Sequence, residues 1–251
     1  MQAARASDYA ISQFKYLRPL IFYHGREAYR RNAILAMYMF YKNNLFVMPQ
    51  YWFGFASAFS GQTLYESIIY QGYNTVFTAF PIIWFAIFDE EFTKGTLLRE
   101  PRHYWIGLKD EFFTFKLLTL NVFKGILVGL LITLFVFCSL NGFHIEEAGY
   151  NGSFWMSSAI LYAVVVIDAN IYVLQVTYTH TWVSTALVIA SILSYFLLFW
   201  LENLFTWSGP MYTIFGHTMT DRRTYIVFLI NTWFVIAMEM IHNRWYDWRV
   251  I

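Results

Sequence analysis

The chain has 251 residues, of which 58% are hydrophobic and only 13% charged, with a formal net charge of +1 and a mean hydropathy of +0.43. So few charges beside so many apolar side chains exclude an ordinary soluble domain, and a net charge near zero gives no electrostatic case for a nucleic-acid partner. The single cysteine, Cys138, excludes an internal disulfide.

Residues 1–32 are largely polar. Ser7-Asp8 offers a helix N-cap before Tyr9-Ala10-Ile11, and Pro19 and Gly25 punctuate the approach to the first apolar run. No cleavable signal pattern is present, and Asp8 argues against a basic matrix-targeting helix. Six apolar stretches follow, 33–56, 69–88, 117–140, 154–178, 182–200 and 224–241, each about long enough to cross ~30 Å of hydrocarbon as a helix. The second and fifth are short or interrupted, which predicts tilt, a broken helix or a thin local membrane. Aromatic residues such as Trp52, Tyr104, Trp105, Trp155, Trp182 and Trp207 crowd the ends of these stretches, as interfacial belts do. The segment 90–116 mixes charges of both signs around Pro101 and reads as a loop on the membrane surface. The expected fold is an all-α polytopic membrane protein with six transmembrane helices in one domain, 33–251, after a short segment, 1–32.

Charge placement sets the expected orientation. Of the 17 Lys and Arg, Arg5, Lys15, Arg18, Arg26, Arg30 and Arg31 precede the first span. Lys94, Arg99, Arg102, Lys109 and Lys116 lie between the second and third, and Arg244 and Arg249 follow the last. Only Arg222 and Arg223 fall on the opposite side, while Lys42 and Lys124 lie within spans. The positive-inside rule then puts both termini on the same side, the cytoplasmic face, or the matrix face if the membrane is the mitochondrial inner membrane.

Lys42 is the most informative residue of the chain. It lies about eleven residues beyond Arg31, so at ~1.5 Å per residue its ammonium sits roughly 16 Å into the hydrocarbon layer, near the midplane. A cation there costs ~2.5 kcal/mol or more, and such a residue is a functional-site candidate by default, with a snorkelling lysine as the structural alternative. On the neighbouring span, Pro81 removes a backbone donor and loosens the helix one turn earlier, freeing the carbonyl near Phe77. Asn43 and Thr78 offer hydrogen bonds where water is scarce, or to neighbouring helices. Asp168, in the Val-rich run 164–170, also falls near the midplane. A buried carboxylate calls for a cation, so the sequence suggests a buried ion pair between Lys42 and Asp168, with a subunit interface or a water-filled crevice as the other settings for this acid.

Other candidates are weaker. His24, His103, His144, His180, His217 and His242 have no partner at metal-ligand spacing, so no metal site is predicted. Asp89-Glu90-Glu91 and Glu146-Glu147 read as solvated loop charges. Gly125 and Gly129 form a small-xxx-small pair that predicts a helix-packing face. No serine or cysteine nucleophile arrangement appears, and no catalytic residue is assigned.

Ordered sequence features carry a resemblance. Gln2-Ala3-Ala4-Arg5-Ala6-Ser7-Asp8-Tyr9-Ala10-Ile11, His24-Gly25-Arg26, Tyr29-Arg30-Arg31, and Tyr38 to Asn43 resemble the phospholipid-flippase class of P-type ATPases. Ser60-Gly61-Gln62-Thr63-Leu64-Tyr65, Tyr73-Asn74 with Phe77-Thr78 and Pro81, and Ile87-Phe88-Asp89 continue it in order, and Asn170, Trp182 and Ala190-Ser191-Ile192 extend it more thinly. The resemblance covers the family's fifth to tenth membrane helices, with residues 1–25 similar to the last edge of its phosphorylation domain. It implies that Lys42 and Asn43 line a lipid path, with Asn74, Thr78 and Pro81 on the next helix. It also implies membrane lipids, a bound phospholipid among them, and other membrane protein subunits as partners, with no further cofactor. An acid at position 168 is not part of the family pattern, and Glu90 stands where glutamine is usual. Neither the Asp-Lys-Thr-Gly phosphorylation motif nor the Gly-Asp-Gly-x-Asn-Asp hinge occurs in the sequence, so ATP chemistry is not expected of these residues. Two functions are consistent with this pattern. One is a lipid-binding or architectural subunit of a larger membrane complex; the other is the membrane half of a split phospholipid-translocating ATPase.

Overall fold

A computed structural model describes residues 6–140, 154–205, 212 and 214–250, without the side chains of Glu239 and 242–250. Glu146 and Glu147 lie outside the described residues. All regular structure among the described residues is helical. After short helical turns from Phe14 to Gly25, the main elements are α1 (Arg26–Ala56), α2 (Ser67–Gly72), α3 (Ala79–Phe88) and α4 (Lys94–Arg99). They are followed by α5 (Phe115–Leu140), α6 (Phe154–Val176), α7 (Trp182–Leu204), α8 (Ile214–Thr220) and α9 (Arg222–Val250).

Among the described residues, α5, α6 and α7 are the three helices long and apolar enough to cross a membrane by composition. The other predicted spans take different forms. The first is the 31-residue α1, which carries three arginines in its first turns and Lys42 further on, and the last is the 29-residue α9. The second is broken, one of the forms its short, interrupted run suggested, whereas the fifth is the continuous α7. α2 starts on the Glu66 side chain, which accepts from the Ile68 and Ile69 amides at 2.6 and 3.0 Å. The chain then widens into a π-helical turn over Tyr73–Phe77, leaves the helical region at Thr78 (φ −134°, ψ −1°) and restarts as α3. Pro81 falls in the first turn of α3, where a missing amide costs no hydrogen bond.

The centre of the bundle is α6, buried over most of its length because α1, α5, α7, α8 and α9 all pack on it. The most extensive helix pair is α1 with α5. Gly125 and Gly129 make that approach possible. A Cβ at Gly125 would stand 2.9 Å from the Tyr41 carbonyl oxygen, and one at Gly129 would stand 3.3 Å from Met48 Cβ and Pro49 Cδ. Between α1, α2 and α6 the core is aromatic. Phe46 stacks on Tyr73 (centroids 4.1 Å apart) and on Tyr65 (4.9 Å) and meets Tyr162 edge-on. Each tyrosine hydroxyl donates to a carbonyl of a neighbouring element: Tyr65 to Phe46, Tyr73 to Lys42, Tyr162 to Ile69. Such bonds bind helices together where water cannot compete.

Candidate functional site

The foot of α1 is a buried charge network. Glu27 in the first turn accepts from Arg26 (2.6 Å) and from Arg30, one turn on (3.1 Å). Arg26 reaches Glu91 at 2.6 Å, and Arg30 reaches Asp89 at 2.7 Å. The second Asp89 oxygen accepts from the backbone amides of Tyr178 and Thr179, both at 2.9 Å, in the turn between α6 and α7. Arg30 also lies over the rings of Phe85 and Tyr178. Asp89 is 2% exposed, so the reading of Asp89-Glu90-Glu91 as solvated loop charges is corrected for Asp89 and Glu91. The missed signal was complementary spacing. Arg26, Glu27 and Arg30 share one helical face, and the carboxylates that close the next apolar run are the chain's nearest match for them. At the rim, the Tyr23 hydroxyl donates to Glu90 at 2.5 Å, and that bond, with partial burial, pushes the phenol up to about 12.

Three helical turns beyond Arg30, Lys42 meets the break between α2 and α3. Its Nζ donates to Thr78 Oγ1 at 3.0 Å, and the Thr78 hydroxyl donates to the Tyr73 carbonyl at 2.6 Å. The ammonium also stands 5.4 Å from the Tyr38 ring centroid and 5.9 Å from that of Tyr73. Lys42 is 2% exposed, and no carboxylate pairs with it among the described residues. Thr78 therefore does two jobs: it occupies a carbonyl released by the π-turn and presents its oxygen to the lysine. The Phe77 carbonyl, expected to be free, instead accepts from Asn170 Nδ2 of α6 at 2.8 Å. Asn170 thus holds the broken helix against the core.

Of the residues singled out from sequence, Lys42, Thr78 and Pro81 are buried together near the break, whereas Asn43 and Asn74 are exposed on the outer surface of α1 and of the π-turn. The direct Lys42–Asp168 pair is not found among the described residues. Tyr41, one residue before Lys42, takes the carboxylate instead, its hydroxyl donating to Asp168 Oδ2 at 2.7 Å. The reason is azimuth: adjacent residues of a helix point about 100° apart, so when Tyr41 faces α6, Lys42 faces the break. Sequence reading also passed over Lys124 of α5, whose Nζ lies 4.8 Å from the Tyr41 ring centroid and 5.0 Å from that of Tyr172.

Comparison with known proteins identifies the family. The family described as phospholipid-translocating P-type ATPase C-terminal matches residues 4–248. Phospholipid-transporting ATPase C887.12 of Schizosaccharomyces pombe is 37% identical over 169 residues, covering 66% of this chain and 13% of its own length. Human phospholipid-transporting ATPase IC is 32% identical over 200 residues, 78% of this chain and 16% of that protein. Human phospholipid-transporting ATPase IG is 30% identical over 250 residues, 94% of this chain and 21% of that protein. The chain thus spans about a fifth or less of the length of these relatives, and what it matches is their membrane part. With a match that runs almost from end to end, the chain belongs to the phospholipid-translocating P-type ATPase C-terminal family.

Proposed function

We propose that this chain forms one wall of a phospholipid path, with Lys42 as the group that meets an anionic headgroup beside the α2–α3 break, and with a bound phospholipid as its ligand. The membrane domain is read as six spans with both ends on one face. ATP hydrolysis is supplied by segments beyond these 251 residues, on the same polypeptide or on a partner membrane subunit. One observation carries the reading: an ammonium near the expected midplane whose partners are a hydroxyl and two aromatic faces. Nζ has three donors, and a phosphate offers the charge that Thr78 lacks. Asn43 and Asn74, exposed on the same two elements, are suited to the polar rim of a headgroup. The alternative, an architectural subunit that keeps Lys42 in a structural ion pair, is less well supported because Asp168 bonds to Tyr41 rather than to Lys42. The relatives lend no support to the mitochondrial inner membrane.

The test is phospholipid-activated ATP hydrolysis by the complex purified through a tag on this chain, titrated with phosphatidylserine, phosphatidylethanolamine or phosphatidylcholine in mixed micelles. At least one lipid should activate, and Lys42→Gln should raise the half-activating concentration about tenfold, equivalent to ~1.4 kcal/mol. A complex without phospholipid-activated hydrolysis, or one in which Lys42→Gln leaves activation unchanged, would overturn the reading.

A further inference from the structure

A second polar site lies where α1, α5 and α6 meet, on residues that the lipid path does not use. Tyr41 and Tyr172 stack with centroids 4.9 Å apart, and Lys124 Nζ approaches both rings. The Tyr41 hydroxyl ends on Asp168, which is fully buried one helical turn before Tyr172 on α6. The Tyr172 hydroxyl donates to Asn121 Oδ1 at 3.4 Å, one turn before Lys124 on α5. At the next residue, Gly125, the α5 backbone comes against the Tyr41 carbonyl so closely that no Cβ would fit. A cation from α5 and an anion from α6 therefore flank a single side chain of α1.

Opposite charges in a hydrocarbon layer are each costly alone and tolerated together. Flanking Tyr41, they fix the rotation of α1 about its axis, because a tyrosine held by its ring on one side and its hydroxyl on the other cannot swing. Lys42 follows Tyr41 directly, so whatever fixes the azimuth of Tyr41 aims Lys42 at Thr78. We propose that Lys124 and Asp168 act as an opposite-charge pair across Tyr41 and are positioning residues for Lys42. Their effect on lipid activation rests on the reading of Lys42 as the headgroup site; their coupling to each other does not.

The same titration of the tagged complex with phosphatidylserine, phosphatidylethanolamine or phosphatidylcholine separates the two. Lys124→Met and Asp168→Asn should each raise the half-activating lipid concentration several-fold, with maximal turnover within about twofold of wild type. The double variant Lys124→Met/Asp168→Asn should lie closer to wild type than either single variant, and Lys124→Arg should restore activation. Thermal midpoints of the same proteins without added lipid should show the same non-additivity, which gives a readout even where turnover is lost. Additive single effects in both measurements, or single variants that match wild type in both, overturn the positioning pair. If Lys42→Gln leaves lipid activation unchanged while the thermal midpoints remain coupled, the headgroup reading falls and the charge pair stands without its positioning role.

Discussion

Arg30 and Lys42 stand on one helix, three turns apart, and both are withdrawn from solvent, at 0% and 2% exposure. Arg30 is surrounded by acceptors, with Glu27 and Asp89 carboxylates in ion-pair contact and the Asp89 carbonyl at 3.2 Å. Lys42 has Thr78 and two ring faces. The foot of α1 is thus charge-compensated and ties three separate segments together, which is what an architectural site requires. The middle of α1 keeps a charge whose natural counterpart is absent from the described residues. On the proposed reading of Lys42, the difference separates a cation that holds the fold from one that is held ready by it.

The strongest way to break this comparison is to remove each charge while keeping bulk. Arg30→Met leaves the Glu27 and Asp89 carboxylates buried without their shared cation, and breaking one side of a buried pair costs about 3–5 kcal/mol. The expected outcome is a large fall in thermal midpoint, or loss of a monodisperse peak in size-exclusion chromatography. Lys42→Met orphans no carboxylate and removes a desolvated charge, so its midpoint should stay level or rise. If Lys42→Met were as damaging as Arg30→Met, Lys42 would be structural and the distinction between the two ends of α1 would collapse.

Much of this was legible in the chain itself. Lys42 stood out by depth alone, the break followed from Pro81 and a short apolar run, and the close α1–α5 approach followed from Gly125 and Gly129. What the sequence did not disclose was which partner each polar group takes. Tyr41 and Lys42 are neighbours in sequence but face different helices, and nothing local tells which of them meets Asp168. Asp89 looked like a loop charge because its partners, Arg30 and the amides of Tyr178 and Thr179, lie about sixty and ninety residues away. Tertiary azimuth, set by the packing of whole helices, decided both.

A smaller perturbation tests whether the middle of α1 is held from behind by α5. Gly125→Ala places a methyl 2.9 Å from a backbone oxygen that cannot move without shifting α1, whereas Gly129→Ala meets its nearest atoms at 3.3 Å. Overpacking of this kind costs about 1–3 kcal/mol. Gly125→Ala should therefore lower the thermal midpoint more than Gly129→Ala. Because its clash falls on Tyr41, it should also weaken phospholipid activation, which Gly129→Ala should spare. Equal effects of the two substitutions would mean that α1 is not held at Tyr41 in particular.

The smallest effect belongs to the rim of the foot network, where Tyr23 bonds to Glu90. The hydrogen bond to the carboxylate, followed by partial burial, raises the phenol from its ordinary value of 10 to about 12. A group whose acidity is weakened on folding stabilises the folded state while it stays protonated. That contribution is fully present below pH 10, and it is lost as pH rises toward about 12 and the folded protein gives up the proton. Thermal midpoints of wild type and Tyr23→Phe should accordingly differ by a small, constant amount up to pH 10 and converge above it. Using the difference between the two proteins cancels the titration of the surface lysines, which occurs over the same range. Tyr23 lies near the surface, where water screens its bond to Glu90, so the offset should be far smaller than that of Arg30→Met. An offset as large as that of Arg30→Met would mean that the foot of α1 is held at its rim, against the burial gradient that runs from Glu90 inward to Asp89.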